Sequence, residues 1–235
     1  MRGPEGLAPV AVVTGAGRGI GRAIAIALAR RGHDVALLAR TFEQLEETAA
    51  AVVATGRRAL ALRCDVASPH EVTHAYARTT SELGVPEVVV NNAGVVRRAK
   101  VHEMSDDDWD QVVDINLKGT FLVTRAWLPD MLAAKRGRIV NVSSISGTLG
   151  TPLLSSYCAA KWGILGFTKA LAAELEGTGV VALSVLPGSV DTEMLKGSGY
   201  APRMSPDDVA NVVVYAALDA PSAMNGSSVE VFGGR

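Results

Sequence analysis

At 235 residues the chain is long enough to bury a full hydrophobic core and has the length of one α/β domain. Its 23 basic and 24 acidic side chains leave a net charge of -1, and the basic residues are too dispersed to form a face for nucleic acid. The 2 cysteines, Cys64 and Cys158, lack metal-ligand spacing, no apolar run reaches the ~18 residues of a membrane span, and Met1 to Pro9 has no apolar signal region. A soluble cytoplasmic protein is therefore expected, with no disulfide, no bound metal and no membrane partner.

Short aliphatic runs alternate with longer amphipathic segments along 1–235, which predicts βα units around a parallel sheet in a single domain. The first strand, Val10 to Thr14, leads through Gly15-x-x-x-Gly19-x-Gly21 into a helix over Gly19 to Arg31. A strand over Asp34 to Ala39 ends at Arg40 and is followed by a helix over Phe42 to Thr55. The strand Ala59 to Arg63 precedes Asp65 and Val66 and a helix from Pro69 to Leu83. Glu87 to Asn91 runs into Asn92-Ala93-Gly94, and a long helix over Asp106 to Lys135 carries Asn116. Arg138 to Ser143 is followed by Ser144, then by a helix over Ser156 to Glu176 that bears Tyr157 and Lys161. The strand Val180 to Leu186 opens into a segment rich in Gly, Pro and Ser, Pro187 to Ser205. A helix over Pro206 to Asp219 and a strand over Ser228 to Phe232 complete the series. Nearly continuous apolar strands imply burial on both faces. Ligands of open α/β sheets bind at the carboxyl ends of strands, so Pro187 to Ser205 is expected to cover a site.

The glycine run stands where a phosphate-cradling loop belongs, after a strand and at the start of a helix whose N–H groups and dipole favour an anion. A plain glycine turn is the alternative. Tyr157 and Lys161 are four residues apart on a helix, so both side chains rise from one face. A phenol has a pKa of about 10, and an adjacent ammonium that favours the phenolate would let it exchange a proton with a substrate oxygen near neutrality.

With the glycine loop, Asn92-Ala93-Gly94, Asn116, Ser144, Tyr157, Lys161 and Pro187-Gly188 in this order, the chain resembles the short-chain dehydrogenase/reductase family over essentially its whole length. The resemblance implies a Rossmann-type doubly wound parallel seven-stranded sheet with helices on both faces. It also implies hydride transfer between a nicotinamide and a ketone, aldehyde or secondary alcohol. Tyr157 would be the general acid/base, with Lys161 lowering its pKa and contacting the nicotinamide ribose. Ser144 would bind the substrate oxygen, and Asn116 would hold a relay water. Ser143, Ser144 and Ser146 are chemically interchangeable on paper, and only the family's serine-to-tyrosine spacing selects Ser144. The implied cofactor set comprises Gly15, Gly19, Ile20 and Gly21 at the phosphates, Asp65 and Val66 at the adenine, and Asn92 and Gly94 near the adenosine ribose. Pro187, Gly188, Val190 and Thr192 would lie at the nicotinamide end. Asp65 capping a turn and Asn91 and Asn92 bracing a strand end are the alternatives.

Where NAD enzymes place an acid for the ribose hydroxyl, about twenty residues past the loop, this chain has Ala39-Arg40. With Arg18 inside the loop, this predicts NADP(H) over NAD(H). His70 and His74 lack a third ligand and are expected at the surface. Asp106, Asp107, Asp108 and Asp110 favour a helix start. Arg97, Arg98 and Lys100 are loop charges that could attract an anionic substrate or carrier.

Leu149, Leu153, Leu154, Met194 and Tyr200 are expected to line an open pocket beneath a short cover, Glu193 to Ser205. A 3-oxoacyl thioester on acyl-carrier protein ranks below a free carbonyl compound, because Gly177-Thr178-Gly179 offers no base for the carrier. The family implies a homodimer or homotetramer built on the Tyr157 helix, where Ala159, Ala160, Gly163 and Gly166 permit close approach and Trp162 and Phe167 could anchor the contact. A redox sensor that binds NADP without turnover is the competing class. It would need the glycine loop and not the Asn116, Ser144, Tyr157 and Lys161 set.

Overall fold

The structure, a computed structural model, describes residues 8–234, so most of the Met1 to Pro9 stretch lies outside it. The elements in chain order are β1 Val10–Thr14, α1 Gly19–Arg30, β2 Asp34–Ala39, α2 Phe42–Val53, β3 Ala59–Arg63, α3 Pro69–Glu82, β4 Val88–Asn91 and α4 Asp106–Val113. There follow α5 Gly119–Ala134, β5 Gly137–Val142, α6 Ser155–Glu174, β6 Val180–Pro187, α7 Pro206–Val214 and β7 Ser228–Val231. All pairings are parallel, in the order β3-β2-β1-β4-β5-β6-β7. The order reverses between β1 and β4, and that switch point opens the crevice at the carboxyl ends of the strands.

Strand residues alternate between two apolar layers. Ala11 and Val13 face one, with α1, α2 and α7, while Val10 and Val12 face the other, with α3, α5 and α6. Helix starts follow from capping chemistry. Ser68, Ser105 and Ser205 accept from the backbone N–H three residues on, and Pro69 and Pro206 occupy first-turn positions where no N–H is needed.

The expected boundaries hold to within a residue or two, with two exceptions, each at a π-helical turn. The long helix predicted over Asp106 to Lys135 is interrupted by a π-helical turn, Asp114–Lys118, between α4 and α5. Its middle residue, Asn116, donates from Nδ2 to Val112 O at 2.7 Å and to Val95 O at 2.9 Å, while Thr120 Oγ1 donates to Asn116 O at 2.8 Å. These side chains compensate the widened backbone ladder. A second π-helical turn, Tyr215–Asp219, extends α7.

The small residues of α6 divide differently from the expectation of a shared outer face. Ala160 is fully buried in the chain's own core, and a Cβ on Gly163 would stand 2.7 Å from Leu117 of the π turn. Both serve packing within the chain. Ala159 and Gly166 remain exposed.

A buried polar ladder seats α6 on the sheet. Asn91 Nδ2 donates to Asn141 Oδ1 at 2.8 Å and to Thr124 Oγ1 at 3.0 Å. Thr168 Oγ1 accepts from Asn141 Nδ2 at 2.8 Å and from Ser184 Oγ at 2.9 Å. Asn91, Asn141 and Ser184 are register partners across β4, β5 and β6, so one polar row crosses three apolar strands.

Candidate active site

A cleft of about 1120 Å3 runs along the carboxyl ends of the strands. Every predicted site residue lines it except Asn116, which lies just behind the wall. At the β1 to α1 turn a Cβ on Gly21 would stand 2.1 Å from Gly15 O, so no larger residue fits there. Thr14 Oγ1 accepts from Asn92 N and Ala93 N at 3.0 Å, and Asn92 Nδ2 donates to Thr14 O at 2.9 Å. The Asn92 amide thus braces the glycine loop against β4. Asp65 also makes a local turn, its Oδ1 accepting from Ala67 N at 3.0 Å.

No side chain caps α1, which leaves its first-turn N–H groups facing the cleft. Arg18 and Arg40 are exposed on the cleft wall and form no ion pair among the described residues. An uncapped helix start, a loop too tight for side chains and two guanidiniums with no ion pair among the described residues together suit the phosphates of a dinucleotide. Thr192 packs its methyl near Gly19, and Val190 pairs with Met204, which seats the covering segment on the rim.

At the other end of the cleft Tyr157 is 8% exposed. The Lys161 ammonium lies 5.5 Å from the Tyr157 ring centroid and donates to Val142 O at 2.9 Å. The structure separates the three serines that are equivalent on paper. Ser143 is buried and its Oγ donates to Lys161 O at 2.9 Å, while Ser146 is buried beside Thr151. Ser144, just past β5, stays partly exposed on the cleft, its Oγ accepting from Ser146 N at 3.1 Å. Asn116 is fully buried, its Oδ1 has no hydrogen-bond partner, and a Cβ on Gly94 would approach that oxygen to 2.6 Å.

Electrostatics depart from expectation. Burial pushes the Tyr157 phenol up to about 12, partly opposed by the Ser144 hydroxyl and by the charge of Arg98. Burial also lowers Lys161 to about 8. The expected depression of Tyr157 by Lys161 is therefore absent in the chain alone. The two groups share a low-dielectric wall where burial disfavours both charged forms, and one of the three ammonium donors is held by the Val142 carbonyl.

Leu149, Leu153, Leu154, Met194 and Tyr200 all line this end, as expected. Met194 Sδ lies 4.0 Å from the Tyr157 hydroxyl, and Leu153 adopts a φ of 65°. His70 and His74 are exposed, and no three metal-ligating side chains cluster among the described residues. Asp106, Asp107 and Asp108 occupy the first turn of α4.

Sequence reasoning missed the positioning roles of Thr14 and of Ser143, the latter weighed only as an alternative to Ser144. The signal for both was a hydroxyl at the end of an apolar strand.

A family model described as short chain dehydrogenase matches residues 9–201. A Synechocystis protein named 3-oxoacyl-[acyl-carrier-protein] reductase is 37% identical, covering 97% of this chain and 96% of its own. A Pseudomonas aeruginosa protein named 3-oxoacyl-[acyl-carrier-protein] reductase FabG is 36% identical over 96% of each. Among solved structures, levodione reductase superposes with a TM-score of 0.91 at 30% identity, covering 96% of both chains. A short-chain type dehydrogenase/reductase from Mycobacterium marinum gives 0.91 at 31%, covering 96% of this chain and 94% of the other. Sequence match, sheet order and the contents of the cleft agree, and the chain belongs to the short-chain dehydrogenase/reductase family of oxidoreductases.

Proposed function

We propose that this chain, taken as one dinucleotide-binding domain over 1–235, is an NADP(H)-dependent reductase of a carbonyl substrate, with Asn116, Ser144, Tyr157 and Lys161 as its catalytic set. The observation that carries the reading is the meeting of a buried phenol, a buried ammonium and a cleft-facing serine in one cleft with a glycine-loop helix start. Reduced nicotinamide, when bound, supplies hydride to the carbonyl carbon. Tyr157 gives its phenolic proton to the carbonyl oxygen as that oxygen becomes an alcohol. A phenol held at about 12 stays protonated through neutrality and is ready for this direction. Ser144 donates to the oxygen as charge develops on it. Lys161 steadies the phenolate left behind and returns a proton to it. The unpartnered Oδ1 of Asn116 supports a water relay behind Lys161, since a buried acceptor without a partner calls for one.

Gly15, Gly19, Ile20 and Gly21 would hold the pyrophosphate. Asp65, Val66, Asn92 and Gly94 would hold the adenosine, and Pro187, Gly188, Val190 and Thr192 the nicotinamide end, with Tyr157 and Lys161 at its ribose. Arg18 and Arg40 would take the 2′-phosphate.

The names of the relatives favour a second reading of the substrate, a 3-oxoacyl thioester. The absence of a base in Gly177-Thr178-Gly179 weighs against a carrier protein docked there. A homo-oligomer, dimer or tetramer, is supported by aromatic surface on α5 and α6. Trp162 is 52% exposed, and Phe121 stacks edge-on against Phe167 at 6.4 Å. A cytoplasmic setting is supported by two free thiols. Among the described residues no helix is long and apolar enough to cross a membrane.

The test is oxidation of NADPH and NADH, followed at the nicotinamide absorbance, against ketones, aldehydes and a short 3-oxoacyl thioester. We expect turnover that prefers NADPH, and an Arg40→Asp variant whose preference shifts toward NADH by about 10-fold or more. Tight NADPH binding with no turnover on the whole panel would favour the sensor reading.

A further inference from the structure

The Arg98 guanidinium, on the substrate side of the cleft, has no carboxylate partner among the described residues. Arg97, Arg98 and Lys100 follow β4 as a basic run, and the structure gives them different fates. Arg97 Nε lies 2.9 Å from Asp108 Oδ1, and Lys100 Nζ lies 3.4 Å from Glu103 Oε1. Arg98 meets no carboxylate among the described residues. Its one hydrogen bond runs from Nη2 to the Met194 main-chain oxygen at 2.9 Å. Glu193, the neighbour of Met194, is held by Lys196 at 2.6 Å, and Asp191 makes no ion pair with Arg98.

The position matters as much as the charge. Arg98 lines the same cleft as Leu149, Leu153 and Tyr157, and it grips the residue whose Sδ lies 4.0 Å from the Tyr157 hydroxyl. Its charge reaches that hydroxyl and opposes the effect of burial there. A guanidinium carries five N–H donors in a rigid fork matched to carboxylate or phosphate, and one neutral carbonyl uses only one of them. An apolar wall with a single unpaired guanidinium at its edge suits a molecule with an apolar body and an anionic end.

We infer that Arg98 is the anion receptor of the substrate pocket, and that the preferred substrate is a carbonyl compound bearing a carboxylate or phosphate. The inference rests on the reductase reading for its chemistry, though not for its binding. A carboxylate would come from an oxo acid and a phosphate from a phosphopantetheine thioester, and both would answer to the same fork.

The experiment compares kcat/KM with NADPH for two matched pairs: acetoacetate against ethyl acetoacetate, and S-acetoacetyl-phosphopantetheine against S-acetoacetylpantetheine. Each pair is measured on the wild type, Arg98→Gln and Arg98→Lys. Calorimetric titration of acetoacetate and of phosphopantetheine into the proteins loaded with the oxidised cofactor, NADP+, reads binding without turnover. We expect the charged member of one pair to be favoured by about 10- to 100-fold, with the advantage shrinking as salt is raised. In Arg98→Gln the ratio should fall at least about tenfold, and Arg98→Lys should restore part of it. The pair that responds names the anion. A ratio unchanged by Arg98→Gln in both pairs, or equal losses on charged and neutral members, would overturn the inference and leave Arg98 as an anchor for Met194. Arg98-dependent binding with no turnover of any probe would uphold the receptor and overturn the reductase reading. Binding indifferent to Arg98 without turnover would overturn both.

Discussion

Tyr157 and Lys161 were legible as a pair because helical spacing puts residues four apart on one face. Their electrostatics were not, since burial is a property of the fold and reverses the expected sign at Tyr157. The difference among Ser143, Ser144 and Ser146 was equally hidden, because it depends on which hydroxyls the fold buries and which it leaves partly exposed on the cleft. A pH dependence follows from these groups. Burial disfavours the Lys161 ammonium, so it loses its proton at about 8, well below the ordinary lysine range, while Tyr157 at about 12 keeps its own. We expect kcat/KM for reduction to hold through neutrality and fall above a pH of about 8. A pH profile that stays flat to about 9.5 would remove Lys161 from the step.

At the scale of elements, apolar strands and capped helices were visible in the sequence, since Ser and Pro at helix starts act locally. The π turn was not, because an unbroken helical pattern runs through Asp106 to Lys135, and only the contacts of Asn116 reveal the added residue. Such turns recur at functional sites. The polar row of Asn91, Asn141 and Ser184 was hidden for a related reason, as register links strands far apart in the chain. Thr168→Val keeps the shape of α6 but leaves Asn141 Nδ2 and Ser184 Oγ without their acceptor. Chemical denaturation should show a loss of about 1–3 kcal/mol. A loss below about 0.5 kcal/mol would mean that the row contributes little to seating α6.

For the whole molecule, alternation of strand and helix sufficed to predict βα units around a parallel sheet, because βα crossovers leave few alternatives, while the doubly wound, seven-stranded form came from the family resemblance. What neighbours the sheet in solution was less legible. Ala160 and Gly163, read as interface residues, turn inward, which leaves Trp162, Gly166 and the Phe121–Phe167 pair as the outer surface of α5 and α6. Sedimentation velocity at micromolar concentration should find a dimer or tetramer, and Phe121→Glu should shift it toward monomer. A wild-type monomer throughout would exclude that face as an interface. The reductase chemistry itself is tested most directly by single-turnover oxidation of bound NADPH in the wild type and in Tyr157→Phe, with a substrate from the panel. We expect the variant still to bind NADPH and to lose about 100- to 10,000-fold in rate. A Tyr157→Phe protein that turns over at the wild-type rate would contradict the assignment of the site.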